Sequence, residues 1–184
     1  MQLYTREQSN QAPIFPDASA GYMILREQYD DLLRNLGYPD EDKIVMPAIA
    51  RIPYSPLRRI RYGSVLFMLN KGLYIYQIAA TRGYTGKTED GIGLGSTLAD
   101  VQRIWGPGQM TTDDTRANLW IPKKYSWTML KISLGNEEVP MVSVIIIADL
   151  AKNNFEFEDH FPQGILETKK RMIIKHPVEK PLEY

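Results

Sequence analysis

Cysteine is absent from all 184 residues. That excludes disulfides, thiolate metal ligands and cysteine nucleophiles. Long apolar runs are absent too. The longest, such as VIIIA at 144–148, stop far short of the ~20 residues that a membrane-crossing helix needs. The first residues, MQLYTREQSNQAPIFPD, carry neither the apolar stretch of a signal peptide nor a lipidation cysteine, so the expected compartment is the cytoplasm. An excess of one charge is missing as well. Lys+Arg and Asp+Glu are both 22, so no global field draws the chain to nucleic acid or to an anionic membrane. The one basic concentration is RIPYSPLRRIRY (51–62), with Arg51, Arg58, Arg59 and Arg61.

What is present is a pattern that occurs twice. GYMILREQYDDLLRNLGYP (21–39) and DGIGLGSTLADVQRIWGPG (90–108) share a frame offset by 69 residues, which sets Leu25 on Leu94, Asp31 on Asp100, Leu32 on Val101, Leu36 on Trp105 and Gly37 on Gly106. In the first copy Tyr29, Leu32, Leu33 and Leu36 form one helical stripe that Gly37 and Pro39 end. In the second, Ser96 or Thr97 caps a helix whose stripe is Leu98, Val101 and Trp105, stopped by Gly106 and Pro107. Apolar, alternating segments follow each helix. Strands are expected at 64–69 and 73–80 around Asn70-Lys71-Gly72, and at 127–134 and 141–148 around 135–138. Shorter strands are expected at 44–50, 57–62 and 117–121. Leu32, Leu36, Phe67, Val101, Trp105 and Leu130 are the expected core.

This order predicts an α+β protein: a tandem repeat of helix-plus-antiparallel-strand units forming one continuous sheet of roughly six to eight strands, with the helices on one face and the other face partly open. The expected divisions are an N-terminal arm (1–20), a first unit (21–89), a second unit (90–150) and a C-terminal extension (151–184). The arm, polar and holding Pro13 and Pro16, is expected to be extended or partly disordered.

The stretch GIGLGSTLADVQRIWGPG resembles the Gly-apolar-x-apolar-Gly-x-Ser/Thr opening of each half of the β-lactamase inhibitor protein fold. The small lipoproteins of the outer-membrane assembly machine share that opening. Val142, Ile145 and Ile147 resemble the Val-x-x-Ile-x-Ile of its last strand, and Leu73, Tyr76 and Ile78 stand in the corresponding places of the first copy. The resemblance covers about 21–148. The first copy departs from it at Arg26, where the motif has glycine, and in lacking the Ser/Thr cap. The tandem arrangement is similar to the inhibitor fold rather than to the single-unit lipoproteins, and the inhibitors' disulfides have no counterpart here. The resemblance implies a protein that grips another protein with an open sheet face, as an inhibitor or an immunity protein does.

Catalytic chemistry finds little support. Gly86-Lys87-Thr88 follows a strand, but a phosphate loop needs a glycine where Thr81 stands and a helix where Glu89-Asp90-Gly91 follows. His160 lies beside Glu156, Glu158 and Asp159 without metal-ligand spacing, which reads as a solvated acidic loop, and His176 is distant from it. Ser96 lacks the Gly-x-Ser-x-Gly frame, and the pairs Asp30/Asp31 and Asp113/Asp114 are adjacent and point apart. No cofactor and no metal are expected. Large side chains on the outward strand positions are instead the expected partner-binding set: Trp127, Met129 and Lys131, with Tyr74, Tyr76 and Trp120. They serve equally as a second, covered core or as a dimer interface. The alternative function is a small enzyme or ligand-binding domain with a pocket between the two units, charged by Arg58, Arg59, Arg61 and the 156–160 segment. A structural subunit held by its two tails is a third reading.

Overall fold

The computed structural model describes residues 2–45, 57–70, 72–112 and 116–149. The expected arm is the first correction. Thr5 Oγ1 accepts from the Gln8 N–H (3.1 Å) and Gln8 Oε1 accepts from the Thr5 N–H (2.8 Å), a reciprocal cap that starts α1 (Arg6–Gln11). Ser9, Ala12, Ile14 and Ala18 are then buried. The segment is stapled down at three places. The Tyr84 hydroxyl donates to Ala12 O (2.6 Å) and accepts from the Gly21 N–H (3.0 Å). Asn10 Oδ1 accepts from the Ser64 N–H (2.9 Å). Asp17, at φ 64°, accepts from the backbone of Ser126 and Trp127 and from the Thr128 hydroxyl. Satisfied polar groups, together with the buried Ala12, Ile14 and Ala18, hold this segment in place.

A small hairpin of β1 (Ser19–Ala20) and β2 (Met23–Ile24) turns through Gly21 and Tyr22, both at φ 64°, the left-handed pair of the tight hairpin turn. Next come α2 (Tyr29–Leu36) and, much later, α3 (Leu98–Trp105). Asp31 accepts from the Gln28 N–H (2.9 Å) at the start of α2, and Thr97 Oγ1 accepts from the Asp100 N–H (3.1 Å) at the start of α3. Each helix ends on a glycine with nearly the same backbone: Gly37 at φ 72°, ψ −155° and Gly106 at φ 81°, ψ −155°. A side chain at those angles would be strained, which is why the helix-stopping residue is glycine in both.

The remaining strands are β3 (Glu41–Val45), β4 (Leu57–Tyr62), β5 (Val65–Leu69), β6 (Ile75–Ala80), β7 (Gly108–Thr112), β8 (Asn118–Pro122), β9 (Thr128–Leu134) and β10 (Pro140–Ala148). They form one eight-stranded antiparallel sheet in the order β3-β4-β5-β6-β10-β9-β8-β7. The protein is therefore α+β with an antiparallel sheet. The strand expected at 44–50 starts earlier, at Glu41, and its residues beyond Val45 lie outside the described ones, as do Arg51 and the 151–184 extension with its histidines. β7 was not foreseen, because GQMTT has no apolar alternation. Among the described residues no helix is long and apolar enough to cross a membrane.

β6 and β10 meet at the centre of the sheet. Ile145 pairs with Ala80, Ile146 with Ala79 and Ile147 with Ile78. Each of these strands carries one extra residue against its other neighbour: Tyr76 opposite the Met68/Leu69 step, and Ser143 opposite the Ile132/Lys131 step. Each is also tied to the stretch before a helix. The Ile75 N–H donates to Glu27 O (2.8 Å) and the Val142 N–H to Ser96 O (2.9 Å); the Arg26 N–H donates to Ile75 O (2.7 Å) and the Gly95 N–H to Val142 O (2.8 Å). Arg26 stands at φ 73° and Gly95 at φ 86°.

One row of strand side chains is buried: Ile60, Tyr62, Val65, Phe67, Leu69, Ile75, Ile78, Trp120, Leu130, Ile132, Val142, Ile145 and Ile147. They form a single cluster with Leu32 and Leu36 of α2, Val101 and Trp105 of α3, and Met23 to Leu25. All six expected core residues lie in it. Trp105 also donates its indole N–H to Asp90 (2.9 Å).

Candidate partner-binding face

The alternate row of strand side chains builds a second surface. Crossing the sheet by register, Arg61 and Arg59 lie opposite Leu66 and Met68, and these lie opposite Ala79 and Gln77. Ala79 faces Ile146, Ile146 faces Met129, Val144 faces Lys131, and Lys131 faces Leu119. Ala79 is buried and the other side chains from Leu66 to Leu119 are half-buried, so an apolar band crosses the central strands. The two bulges widen it. Each turns two consecutive side chains out of the buried row, Tyr76 with Gln77 and Ser143 with Val144. Burial pushes the Tyr76 hydroxyl up to a pKa of about 12, so it stays a neutral donor at any physiological pH. Lys131, half-buried, lies between Val144 and Leu119, where a lysine's aliphatic stem can extend the band.

One margin of this face is charged. Glu41 on β3 accepts from Arg59 (2.6 Å) and Lys43 (3.2 Å), with Arg61 at 3.9 Å. The hydrogen bond from Arg59, then that from Lys43, holds the Glu41 carboxyl below its usual range. On the other side of the same edge, against α2, Arg58 grips Asp42 through two nitrogens (2.7 and 2.6 Å) and lies 4.2 Å from the centre of the Tyr29 ring, whose hydroxyl also reaches Asp42 (2.9 Å). The arginines at this margin are thus engaged in ion pairs with β3 carboxylates. They do not converge on a pocket.

The six residues expected to bind a partner do not stay together. Met129, Lys131 and Tyr76 stand in the outward row. Trp120 does not: it is 6% exposed and part of the buried cluster. The strand NLWIP is apolar on both sides, and the register that pairs Trp120 with Leu130 turns it inward. Trp127 sits just before β9, half-buried against the core. Its N–H donates to Asp17 (2.8 Å), its carbonyl accepts from Ala148 (2.8 Å), and the Arg26 guanidinium lies 5.7 Å from its ring centre. Tyr74 lies outside β6, at the end of its hairpin, with its hydroxyl accepting from Gln28 Nε2 (2.7 Å).

Sequence reasoning missed a polar junction at the end of the two central strands. Arg26 Nε donates to Asp149 (2.7 Å), whose side chain is only 2% exposed, and the Asp149 N–H donates to Tyr76 O (2.8 Å). The departure from glycine at Arg26 marked the place; a partner 123 residues away could not be read from it.

The Gly86-Lys87-Thr88 stretch and Asp90 make contacts of their own, while the 156–160 segment lies outside the described residues. In the Gly86-Lys87-Thr88 stretch, the Gly86 N–H donates to Asn10 O (3.3 Å), Thr88 pairs with Ile92, and no helix begins. A shallow cavity of about 440 Å³ lies among Phe15, Pro16, Glu89, Asp90, Lys124 and Tyr125. There Asp90 is bonded to both Thr88 and Trp105. No group of three or more metal-ligating side chains is found among the described residues.

No protein-family model matches the chain, and no curated protein matches it. Among solved structures, the chain is similar to a cysteine-rich secretory protein from Staphylococcus aureus subsp. aureus Mu50. The two are 11% identical with a TM-score of 0.42, over 78% of this chain and 49% of that one. The chain thus spans about half the length of that neighbour.

Proposed function

We propose that this chain is a non-enzymatic protein-binding module, an inhibitor or immunity protein that blocks a toxin or enzyme with the outward face of its sheet. In this reading the chain is two copies of one helix-plus-four-strand unit. The copies are related by a local two-fold axis through the Ala79–Ile146 pair, with both helices on the opposite face. The matching helix exits, matching bulges and matching ties of Ile75 and Val142 support the copies. The helices and the buried row sharing one cluster supports their common side.

The observation that carries the reading is the apolar band Leu66–Met68–Ala79–Ile146–Met129–Val144, which crosses the central strands beside a charged margin. Large, adaptable side chains with a charged margin at one side suit an interface core with part of a polar rim. The absence of cysteine supports action in the cytoplasm.

The test uses the tagged chain as bait and Met129→Glu and Ile146→Glu as variants. The wild type should retain a partner whose activity falls on titration with the purified chain. Both variants should lose it while keeping the wild-type melting temperature. A partner held equally by wild type and both folded variants would refute this face as the site. A partner held at the face but unaffected in activity would refute the inhibitor reading and leave a binding module.

A further inference from the structure

The two edges of the sheet differ in a way that the face does not explain. β3 carries Glu41, Asp42 and Lys43 in five residues, whereas β7 reads Gly108-Gln109-Met110-Thr111-Thr112, without a charge. Charged side chains are the usual defence of an open edge, since they obstruct a further strand. β7 pairs with β8 alone among the described strands, and its residues from Gln109 to Thr112 are exposed, Met110 by 42%.

The backbone phase of that edge is known. The Lys123 N–H donates to Pro107 O (2.9 Å), so in this ladder Gln109 and Thr111 turn their backbone groups toward Ile121 and Leu119 on β8. Gly108, Met110 and Thr112 therefore turn theirs outward, and the outward set is centred on Met110. A second copy brought in antiparallel about a two-fold axis at Met110 sets Met110 against Met110 and Gly108 against Thr112. Every outward donor then meets an acceptor, and no like charges are opposed. The same operation on β3, centred on Lys43, would set two ammonium groups face to face.

We propose that β7 is a self-pairing edge, through which two copies of this chain join their sheets antiparallel about Met110. The two exposed Met110 side chains lie side by side on the same face and cover one another. This contact uses neither the outward apolar band nor its charged margin, so it stands independently of the function proposed above.

The test is the solution mass of the purified chain between about 1 µM and 1 mM, the span from firm to weak association. A mass near twice 21.1 kDa at the upper end, falling toward 21.1 kDa on dilution, is expected. Met110→Lys should hold the single-chain mass at every concentration, and Ile44→Lys on β3 should not change the wild-type behaviour. A wild-type chain that stays single throughout, or a double mass that persists in folded Met110→Lys, overturns the proposal. Should Met110→Lys fail to fold, Met110→Cys decides. The chain has no other cysteine, and residues opposed across such a pair lie within disulfide reach. Mild oxidation should then link two Met110→Cys chains and leave Ile44→Cys chains unlinked. Equal linking of both, or of neither, overturns the self-pairing edge.

Discussion

The first and second halves of this chain reach the same local geometry with different chemistry. Before α3 the left-handed residue is Gly95, for which that conformation is free of steric cost; before α2 it is Arg26, for which it is not. Arg26 has a compensation that glycine lacks. Its guanidinium meets the nearly buried Asp149 at 2.7 Å, beside the Trp127 ring. The helix entry differs likewise. Thr97 caps α3 with its own hydroxyl, while α2 relies on Asp31 reaching back to Gln28. The lesson is that one local backbone geometry can be held by different groups, and that those groups can make further contacts, here Arg26–Asp149, that link one half to the other.

The sharpest comparison is at the helix exits, where Leu36 and Trp105 occupy corresponding places, exposed by 0% and 3%. Trp105→Ala should cost about 4 kcal/mol and Leu36→Ala about 3 kcal/mol, from lost burial and the cavities left behind. Chemical denaturation of both variants checks this. A cost below about 1 kcal/mol in either would remove that helix from the common core.

Next in size is the contrast between Arg26 and Gly95. Arg26→Gly relieves the backbone but removes the guanidinium 2.7 Å from the nearly buried Asp149, and should destabilise by about 3 kcal/mol. The mirror change, Gly95→Ala, meets no neighbouring atom within 4 Å and should cost only the left-handed strain, about 1 kcal/mol. Thermal melts of the pair decide between these expectations. If Arg26→Gly proves neutral or stabilising, the ion pair does not compensate the backbone.

The smallest expected effect separates the two outer edges. Arg58 hydrogen-bonded to Asp42, and Arg59 to Glu41, hold those carboxyls below their usual range. A carboxyl whose folded pKa is depressed stabilises the fold above its unfolded pKa, and that contribution is lost as pH falls through the folded pKa. Lowering the pH from about 6 to about 3 should therefore loosen the β3–β4 edge slightly, since these pairs are partly exposed. β7–β8, with no such pair among its described residues, should not respond. Amide exchange at the two pH values reads both edges at once, and equal loosening would contradict the assignment.

What was legible in the sequence is what local periodicity encodes. Leu32 and Leu36, Val101 and Trp105 recur at helical spacing before a glycine stop. The alternation of Val65, Phe67 and Leu69, and of Leu130 and Ile132, placed their strands to within a residue or two. Elements held by polar contacts were not legible. REQSNQ has no apolar stripe, and α1 is fixed instead by its cap and by Ser9 donating to Gly21 O (3.2 Å). Asp17 and Asp149 act on partners more than a hundred residues away. Trp120 was misread as outward because Leu119 and Ile121, on its other side, are as apolar as it is. Only the pairing with Leu130 decides which side is core.

Within the expected partner-binding set, Trp127 and Met129 stand in different surroundings. Trp127, packed on the core beside Arg26, should cost stability when cut to alanine. Met129, in the outward row, should not. The most direct measurement is a calorimetric titration of the captured partner against Met129→Ala, with the melting temperature of the variant recorded alongside. The account predicts a loss of about 2 kcal/mol, roughly thirtyfold in affinity, with an unchanged melting temperature. Wild-type affinity in the folded Met129→Ala variant, with Ile146→Ala equally silent, would contradict it.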